Sequence, residues 1–397
     1  MGPEPCRAKG RAAEWGAIQG PSGLAAARRS STAQIVRMLK MEVRRTPLHA
    51  EHQALGAKMV EFAGWEMPVQ YEGVVHESLA VRRKVGMFDV SHMARLHFRG
   101  PAAFDYLEHM TANDVSKLVD GASQYSLLCY PDGGCVDDII LYRIGPEWFR
   151  MVVNAANHAK DVAWLTEHLR DGVTLEDETE RTAMIAVQGP EAVPTINRMA
   201  GEDLSDMTKF TAREFRIAGR PVFGARTGYT GEDGFELILA AEDGPAVWQA
   251  LLEAGVTPCG LAARDVLRLE AGLPLYGHEL TKDINPIEAG LGWVVSKTKS
   301  FIGSEPINAM RSAGPPRKAV GIRMESKMVP REGYPVLKDG AEVGSMTSGV
   351  YSPLLEVGIG FALVKSEAAT LNEPCEVVVR EKPHPATMVG KRFLPKT

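Results

Sequence analysis

The chain has 397 residues, of which 45% are hydrophobic and 24% charged, and its formal net charge is −5. This length predicts two or three domains, because a single hydrophobic core rarely grows beyond about 250–300 residues. The net charge gives no electrostatic reason to expect a nucleic acid or a membrane surface as partner. No apolar run approaches the roughly 20 residues that span a bilayer.

The leader, residues 1–44, differs in composition from the rest. It holds eight Lys or Arg and three acidic residues, and it shows no sustained apolar period. An Arg- and Ser-rich, acid-poor leader is typical of a mitochondrial transit peptide. A disordered extension, or a true start at Met38 or Met41, fits equally well. We therefore expect a cytoplasmic protein, or a mitochondrial matrix protein if the leader is a targeting peptide.

The organised part of the chain alternates between helical and strand-like patterns. They predict strands at 95–98, 125–130, 136–144, 149–153 and 182–187, and helices at 76–85, 101–110, 157–169, 190–199 and 261–271. The β–α–β–β–α–β order predicts a ferredoxin-like split βαβ unit. A second hairpin is predicted at 223–239, and strand-like text after the Gly- and Pro-containing linker at 312–318 predicts a small β-barrel or sandwich.

Two adjacent carboxylates, Asp137 and Asp138, begin the apolar run that follows the turn Pro131-Asp-Gly-Gly134. Successive strand side chains face opposite sides, and a strand this apolar is expected to be covered on both faces. At least one aspartate then needs a partner, because an unpaired buried charge is costly. The alternative is an aspartate that hydrogen-bonds the amides of its own turn.

Glu236 and Arg264 are further candidates. Glu236 opens an apolar strand after the glycine-rich loop 228–234, and Arg264 lies among small and apolar residues. The two are candidate ligand-binding groups, or Arg264 forms a structural ion pair with Glu236 or Asp265, since such networks mimic sites. The aromatic stretch 62–71 predicts either a wall for a flat heteroaromatic ligand or a core loop.

Metal and disulfide sites are not predicted. The five cysteines are widely spaced with no Cys-x-x-Cys, and the ten histidines include no His-Glu-x-x-His.

Taken together, these segments resemble the aminomethyltransferase family, the T-proteins of the glycine cleavage system. The matching motifs keep their order over about residues 45 to 395. They include Arg45-Thr-Pro-Leu48, Phe62-Ala-Gly-Trp65, Phe88-Asp-Val-Ser-His-Met93, Gly133-Gly134-x-x-Asp137-Asp138, Val153-Asn-Ala155, Gln188-Gly-Pro190, Gly228-Tyr-Thr-Gly-Glu-Asp-Gly234, Gly260-Leu-Ala-Ala-Arg-Asp265 and Leu267-Arg-Leu-Glu-Ala-Gly272.

The resemblance implies an α+β fold, a three-lobed cloverleaf with a ferredoxin-like lobe and a C-terminal β-barrel. It assigns residues 45–311 to a folate-binding region of two lobes and 318–397 to the barrel. It also implies a reaction, in which the aminomethyl carbon passes from lipoylated H-protein to tetrahydrofolate. The products are ammonia, 5,10-methylenetetrahydrofolate and the dihydrolipoyl form of the H-protein.

The resemblance implies roles for six residues. Asp138 matches the family's essential aspartate, and Glu236 and Arg264 match the residues that hold the folate. Pocket-wall positions correspond to Met93, Asn154 and Tyr229. The chemistry agrees, since a carboxylate can bind the amide and amino edge of a pterin, an arginine suits an anionic folate tail, and an aspartate can stabilise developing positive charge.

The chain also departs from the family pattern. A C-terminal tyrosine common in the family is absent from Phe393-Leu-Pro-Lys-Thr397, and Asn285-Pro286 stands where Thr-Pro or Ser-Pro is common. Relatives with a flavin domain or a cysteine-containing iron–sulfur motif are not matched. A tetrahydrofolate-dependent demethylase of a sulfonium or N-methyl donor, or a non-catalytic folate-binding relative, remains the alternative, because a fold does not fix a function.

Overall fold

The computed structural model describes residues 43–395. From Arg44 onward they belong to one compact unit. The predictions made for the leader fall outside the described residues, apart from its last two positions. Within 43–395, no helix is long and apolar enough to cross a membrane.

Within residues 43–395, the predicted strands and helices are present in chain order, together with others that were not predicted. The strands before the barrel are β1 (Arg44–Arg45), β2 (Lys58–Phe62), β3 (Trp65–Gln70), β4 (Gly86–Asp89), β5 (Ala94–Arg99), β6 (Ser123–Cys129), β7 (Cys135–Gly145), β8 (Trp148–Val153), β9 (Thr174–Asp177), β10 (Thr182–Gln188), β11 (Ala212–Ile217), β12 (Arg220–Ala225), β13 (Gly234–Ala240) and β14 (Thr257–Pro258). The α-helices are α1 (His49–Ala54), α2 (Val74–Arg83), α3 (Ala103–Met110), α4 (His158–Glu167), α5 (Ala192–Ala200), α6 (Gly244–Glu253), α7 (Leu261–Glu270) and α8 (Ser304–Ala313).

The first lobe is built on a six-stranded sheet in the order β11-β12-β13-β10-β4-β14. Helices α5 and α6 cover one face of it through buried side chains such as Ile196, Trp248 and Leu251. Strands β1, β3 and β2 form a small separate sheet.

The second lobe is a five-stranded sheet in the order β6-β7-β8-β5-β9, and every pair in it is antiparallel. It contains the predicted ferredoxin-like unit with one correction. The strand predicted to complete the unit, β10, pairs with β13 and β4 in the first lobe instead. The four-residue strand β9 completes the second lobe, and it is too short and too polar to show a strand pattern.

Both lobes share one connectivity: a strand, a helix, three successive antiparallel strands, a second helix and a final strand. In the second lobe these are β5, α3, β6–β8, α4 and β9; in the first they are β10, α5, β11–β13, α6 and β14. The first lobe differs because β4 is inserted between β10 and β14.

The two sheets face each other across a shared apolar layer. On β7, Ile139 and Leu141 point to the core of the second lobe, while Tyr142 packs in the layer between lobes. On β10, Ile185 lies in the core of the first lobe and Ala186 in the shared layer. Both strands are nearly all apolar because both of their faces are covered, as predicted for β7.

The chain then forms the predicted barrel. Six strands close in the order β15-β18-β17-β16-β19-β20. They are β15 (Arg317–Met324), β16 (Pro335–Lys338), β17 (Ala341–Ser352), β18 (Val357–Lys365), β19 (Pro374–Val379) and β20 (Lys382–Val389). Closure leaves no unpaired edge, and the α+β class with a C-terminal β-barrel is confirmed.

A buried ion pair joins the barrel to the lobes. Arg268 on α7 donates to Glu279 Oε2 at 2.9 Å, and the two side chains are 1% and 2% exposed. Thr347 and Ser348 on β17 each donate a hydroxyl to Glu279 Oε1 at 2.6 Å. Glu279 therefore holds α7 and the barrel together.

Replacing Glu279 with alanine should destabilise the protein by about 3–5 kcal/mol, because it leaves the Arg268 charge buried and without this partner. Denaturant unfolding measures the loss. The control is Glu332→Ala, which removes the 60%-exposed partner of His278 and should cost less than about 1 kcal/mol. Equal losses in the two variants would contradict this account of the barrel junction.

Candidate functional site

The β6–β7 hairpin carries the two aspartates on a glycine turn. Gly133 has φ +89°, and the Gly134 amide donates to Asp132 Oδ1 at 3.0 Å. A Cβ added at Gly134 would lie 1.8 Å from the Lys282 carbonyl oxygen, so only glycine allows this approach. The turn thus fixes where β7 begins.

Asp137 is fully buried and bound by three donors. Its carboxylate accepts the Asn154 backbone amide at 2.9 Å, the Asn154 side-chain amide at 2.9 Å and the Asn157 side-chain amide at 2.6 Å. These bonds fasten β7 to the end of β8. The alternative, a turn aspartate, describes Asp132 rather than Asp137.

Asp138 lies on the opposite face of β7, where it is partly accessible. Tyr125 Oη donates to Oδ2 at 3.0 Å, and Asn154 Nδ2 donates to Oδ1 at 2.9 Å. Burial, and then the charge of Asp137, raises the pKa of Asp138 to about 7, although the two donors act in the other direction. Asp138 is thus a carboxyl that exchanges its proton near neutral pH.

Tyr125 and Trp293 complete this side of the site, and neither was predicted from the sequence. Tyr125 stacks on Trp293 with ring centroids 6.1 Å apart at 22°, and Trp293 is 73% exposed. Leu127 pairs with Asp138 across the hairpin, so Tyr125 is the diagonal neighbour of Asp138 on the same face. That register could have identified Tyr125 from the sequence, whereas no local signal pointed to Trp293.

Glu236 lies on β13, on the side that faces the second lobe. Its Oε2 accepts the Thr227 hydroxyl at 2.5 Å, and Thr227 Oγ1 lies 3.4 Å from the Tyr142 hydroxyl on β7. Tyr142 is four residues from Asp138 on the same strand face. Glu236 is therefore turned toward the same inter-lobe layer as Asp138.

Arg264, near the start of α7, has spare hydrogen-bonding capacity. Its Nη2 donates to Met93 Sδ at 3.8 Å, and its guanidinium lies 4.8 Å from the Tyr229 ring centre. Its Nη1 is buried with no hydrogen-bond partner within residues 43–395. Burial lowers the pKa of Arg264, and the charge of Glu236 opposes that shift.

The structural ion pair considered for Arg264 is not formed. Among residues 43–395, Arg264 makes no ion pair within 4.0 Å, and Asp265 binds Arg268 at 2.8 Å instead. The Arg264 guanidinium therefore remains available to an anionic ligand.

Met93 is held in place by Arg95, a third residue that was not predicted from the sequence. The Arg95 side chain is fully buried and donates to the carbonyl oxygens of Ser91, Met93, Thr179 and Thr182. It thereby clamps the segment after β4 onto the start of β10. Its position on an alternating strand gave no hint that it points inward.

Tyr229 links the two halves of the site. Its hydroxyl donates to the Pro274 carbonyl oxygen, and it carries the Arg264 guanidinium over its ring. Burial raises the pKa of Tyr229, and the nearby Asp138 charge adds to the effect. The contacts thus connect the predicted residues in two groups, Asp138 with Asn154 and Arg264 with Met93 and Tyr229. The charge of Asp138 acts on Tyr229, and the charge of Glu236 acts on Arg264.

The aromatic stretch at 62–71 belongs mainly to the core. Trp65 and Met67 on β3 are 3% and 0% exposed. Only Phe62 remains 42% exposed, with its ring 5.6 Å from that of His92. Within residues 43–395, no group of three or more His, Cys, Asp or Glu side chains could hold a metal ion.

Two family descriptions match this chain. Residues 48–299 match the GCVT N-terminal domain, and residues 317–394 match the glycine cleavage T-protein C-terminal barrel domain. The chain belongs to the glycine cleavage T-protein family.

Curated T-protein relatives match over most of their length. An aminomethyltransferase of Thermus thermophilus is 51% identical over 355 residues, which cover 89% of this chain and 99% of the relative. One of Geobacillus kaustophilus is 47% identical over 358 residues, covering 88% and 98%. The crystal structure of the glycine cleavage system aminomethyltransferase T of Bartonella henselae is similar with a TM-score of 0.84 at 32% identity, over 89% and 99%.

The raised pKa of Asp138 predicts a pH-dependent stability. A carboxyl that titrates near 3.8 when unfolded and near 7 when folded binds more protons in the folded state, so stability falls as pH rises between these values. Asp138→Asn removes this loss. Above pH 7, the free energy of unfolding of this variant should exceed that of the wild type by the order of 1–4 kcal/mol. The difference should shrink toward pH 4.

Thermal unfolding of both proteins across this pH range measures the difference, and Asp171→Asn at an exposed position is the control. A constant difference between Asp138→Asn and the wild type at every pH would refute the raised pKa.

Proposed function

We propose that this chain transfers the aminomethyl carbon from lipoyl-bound H-protein to tetrahydrofolate, releasing ammonia and forming 5,10-methylenetetrahydrofolate, and that Asp138 is the reacting carboxyl. The observation that carries the proposal is a half-buried aspartate held by Tyr125 and Asn154. Its charge acts on Tyr229, whose ring carries the Arg264 guanidinium with its unpartnered Nη1. The family membership gives the reaction class.

The site residues fit a folate. A buried guanidinium nitrogen without a partner is costly unless a ligand supplies an acceptor, and the anionic tail of a folate supplies carboxylates for Arg264. Glu236 offers a carboxylate to the amide and amino edge of the pterin. Tyr229 and Met93 supply the flat and apolar walls that a ring system needs.

Tetrahydrofolate supplies the nitrogens that accept the transferred carbon. Asp138, as a carboxylate, stabilises the positive charge that develops at that carbon, and its effect is strongest where water is excluded. Asp138 also accepts a proton in the same step, since a group with a pKa near the working pH is the most effective general base. Asn154 and Tyr125 keep its two oxygens oriented.

The exposed edge of the site at Trp293 indicates where the lipoyl arm of the H-protein would enter. Trp293 is exposed beside Tyr125, which donates to Asp138, so a lipoyl arm that approaches along Trp293 reaches the reacting carboxyl. We expect a transient contact with H-protein, because a shared carrier must leave for other enzymes. Lipoylation of the carrier is part of this proposal.

The predicted domain bounds, residues 45–311 and 318–397, and a cytoplasmic location belong to the same proposal.

A demethylase that uses a sulfonium or N-methyl donor, or a non-catalytic folate-binding relative, is less well supported. The relatives at 51% and 47% identity are aminomethyltransferases.

The direct test is an assay of ammonia release from aminomethylated H-protein. Release should require both tetrahydrofolate and the lipoylated carrier, and Asp138→Asn should slow it at least ~100-fold while folate binding persists. The control is Asp132→Asn in the same hairpin, which keeps an oxygen for the turn amide. Methyltetrahydrofolate formed from a sulfonium donor, with no ammonia from the carrier, would favour the demethylase.

Folate binding is tested separately with Glu236→Ala and Arg264→Ala. Each should weaken tetrahydrofolate binding by about 2–5 kcal/mol, the usual loss when one side of a buried charged contact is removed. Calorimetric titration measures the affinity and thermal unfolding the stability. Unchanged affinity combined with lost stability would assign the two residues a structural role only.

A further inference from the structure

Asp161 is a buried carboxyl that the reaction does not explain. It lies on α4 beneath the Asp137 side of β7, and its residue surface is 0% exposed. Neither of its oxygens has a donor within residues 43–395. Asn157, four residues earlier in the chain, donates to Asp137 at 2.6 Å, and a side-chain hydrogen bond between Asp161 and Asp137 contributes to the pKa of each. Two carboxylates cannot hydrogen-bond each other unless one of them carries a proton.

The donors around the pair decide which aspartate carries that proton. Asp137 accepts three N–H groups, from the backbone and side chain of Asn154 and from the side chain of Asn157. Hydrogen bonds to a carboxylate stabilise its charged form. Asp137 therefore keeps the charge, and Asp161, which has no such donors, keeps the proton.

The surrounding charged and titratable groups do not change this assignment. Lys160 donates to the Val136 carbonyl oxygen and to the Tyr276 hydroxyl, and within 43–395 it forms no ion pair with Asp137 or Asp161. The other neighbours are Asp138, Tyr130, Cys135 and Tyr276. Burial, followed by the Asp137 charge, raises the pKa of Asp161 to about 11.

We propose that Asp161 is a positioning residue, a protonated carboxylic acid that donates to Asp137, so that the buried pair carries one negative charge and holds Asn154 against Asp138. The inference rests on the proposed function, in which Asp138 is the reacting group.

The number of charges on the Asp137–Asp161 pair affects Asp138, because Asn154 binds both Asp137 and Asp138. Its side-chain amide donates to both Asp137 and Asp138 at 2.9 Å. The charge on Asp137 fixes this amide and also disfavours ionisation of Asp138. A second charge on Asp161 would add to that repulsion and would leave two buried carboxylates side by side.

The first test does not depend on activity. In the infrared spectrum of the full-length protein at about pH 9, where ordinary carboxyls and Asp138 are ionised, the wild type should show a protonated carboxylic acid band that Asp161→Asn removes. Asp171→Asn at an exposed position should leave the band unchanged. No difference between the wild type and Asp161→Asn would overturn the proposal.

The second test is the pH dependence of ammonia release. Asp161→Asn keeps an uncharged donor to Asp137, so the acidic limb of the rate profile should stay within about 0.3 units of the wild type. Asp137→Asn removes the charge, and its acidic limb should move to lower pH by about one unit or more. Asp161→Ala cannot donate a hydrogen bond to Asp137, so its kcat should fall at least ~10-fold. Asp161→Asn should recover the activity.

Three outcomes of this kinetic test would overturn the proposal. In the first, the acidic limb of the Asp161→Asn profile moves as far as that of Asp137→Asn. In the second, the acidic limb of Asp137→Asn does not move. In the third, Asp161→Asn releases ammonia as slowly as Asp161→Ala. If the wild type releases no ammonia, the proposed function fails, while the infrared band still decides the protonation of Asp161.

Discussion

The geometry of the site depends on the hydrogen bonds that stabilise the buried carboxylate of Asp137. Asp137 has no exposure to water and replaces hydration with three amide donors from the segment after β8. The same segment places Asn154 on Asp138, so the carboxyl that we propose to react is oriented through its neighbour in sequence. Strand alternation makes this possible, because adjacent residues reach opposite faces of β7. One residue anchors the strand while the next faces the site.

In the fold, β7 lies in one of two sheets that pack face to face, and helix α7 lies at the edge of the layer between them. Because both lobes repeat one connectivity, they present equivalent faces to each other, and Asp138 and Glu236 extend from β7 and β13 into the layer between them. Helix α7 brings Arg264 to this layer and, one turn later, uses Arg268 to bind Glu279 and the barrel. The helix that closes the site therefore also secures the barrel.

Much of this was readable from the sequence, for identifiable reasons. The β6–β7 hairpin followed from its glycine turn and its apolar run. The motif set selected Asp138, Glu236 and Arg264 as site residues, and their roles stay predictions. The assignment of β10 to the second lobe was wrong, since strand pairing is a tertiary choice that local pattern does not encode. Arg95, Trp293 and Asp161 were missed because their importance comes from contacts distant in sequence.

The central claim is that Asp138 acts as a carboxylate whose pKa is raised to near neutrality by burial and by Asp137. The most direct measurement is the single-turnover rate of ammonia release from aminomethylated H-protein as a function of pH, at saturating tetrahydrofolate. The account predicts a rate that rises with pH through about 7 and a residual rate in Asp138→Asn that lacks this rise. A wild-type rate that is flat from about pH 5.5 to 8.5, or an identical rise in Asp138→Asn, would contradict it.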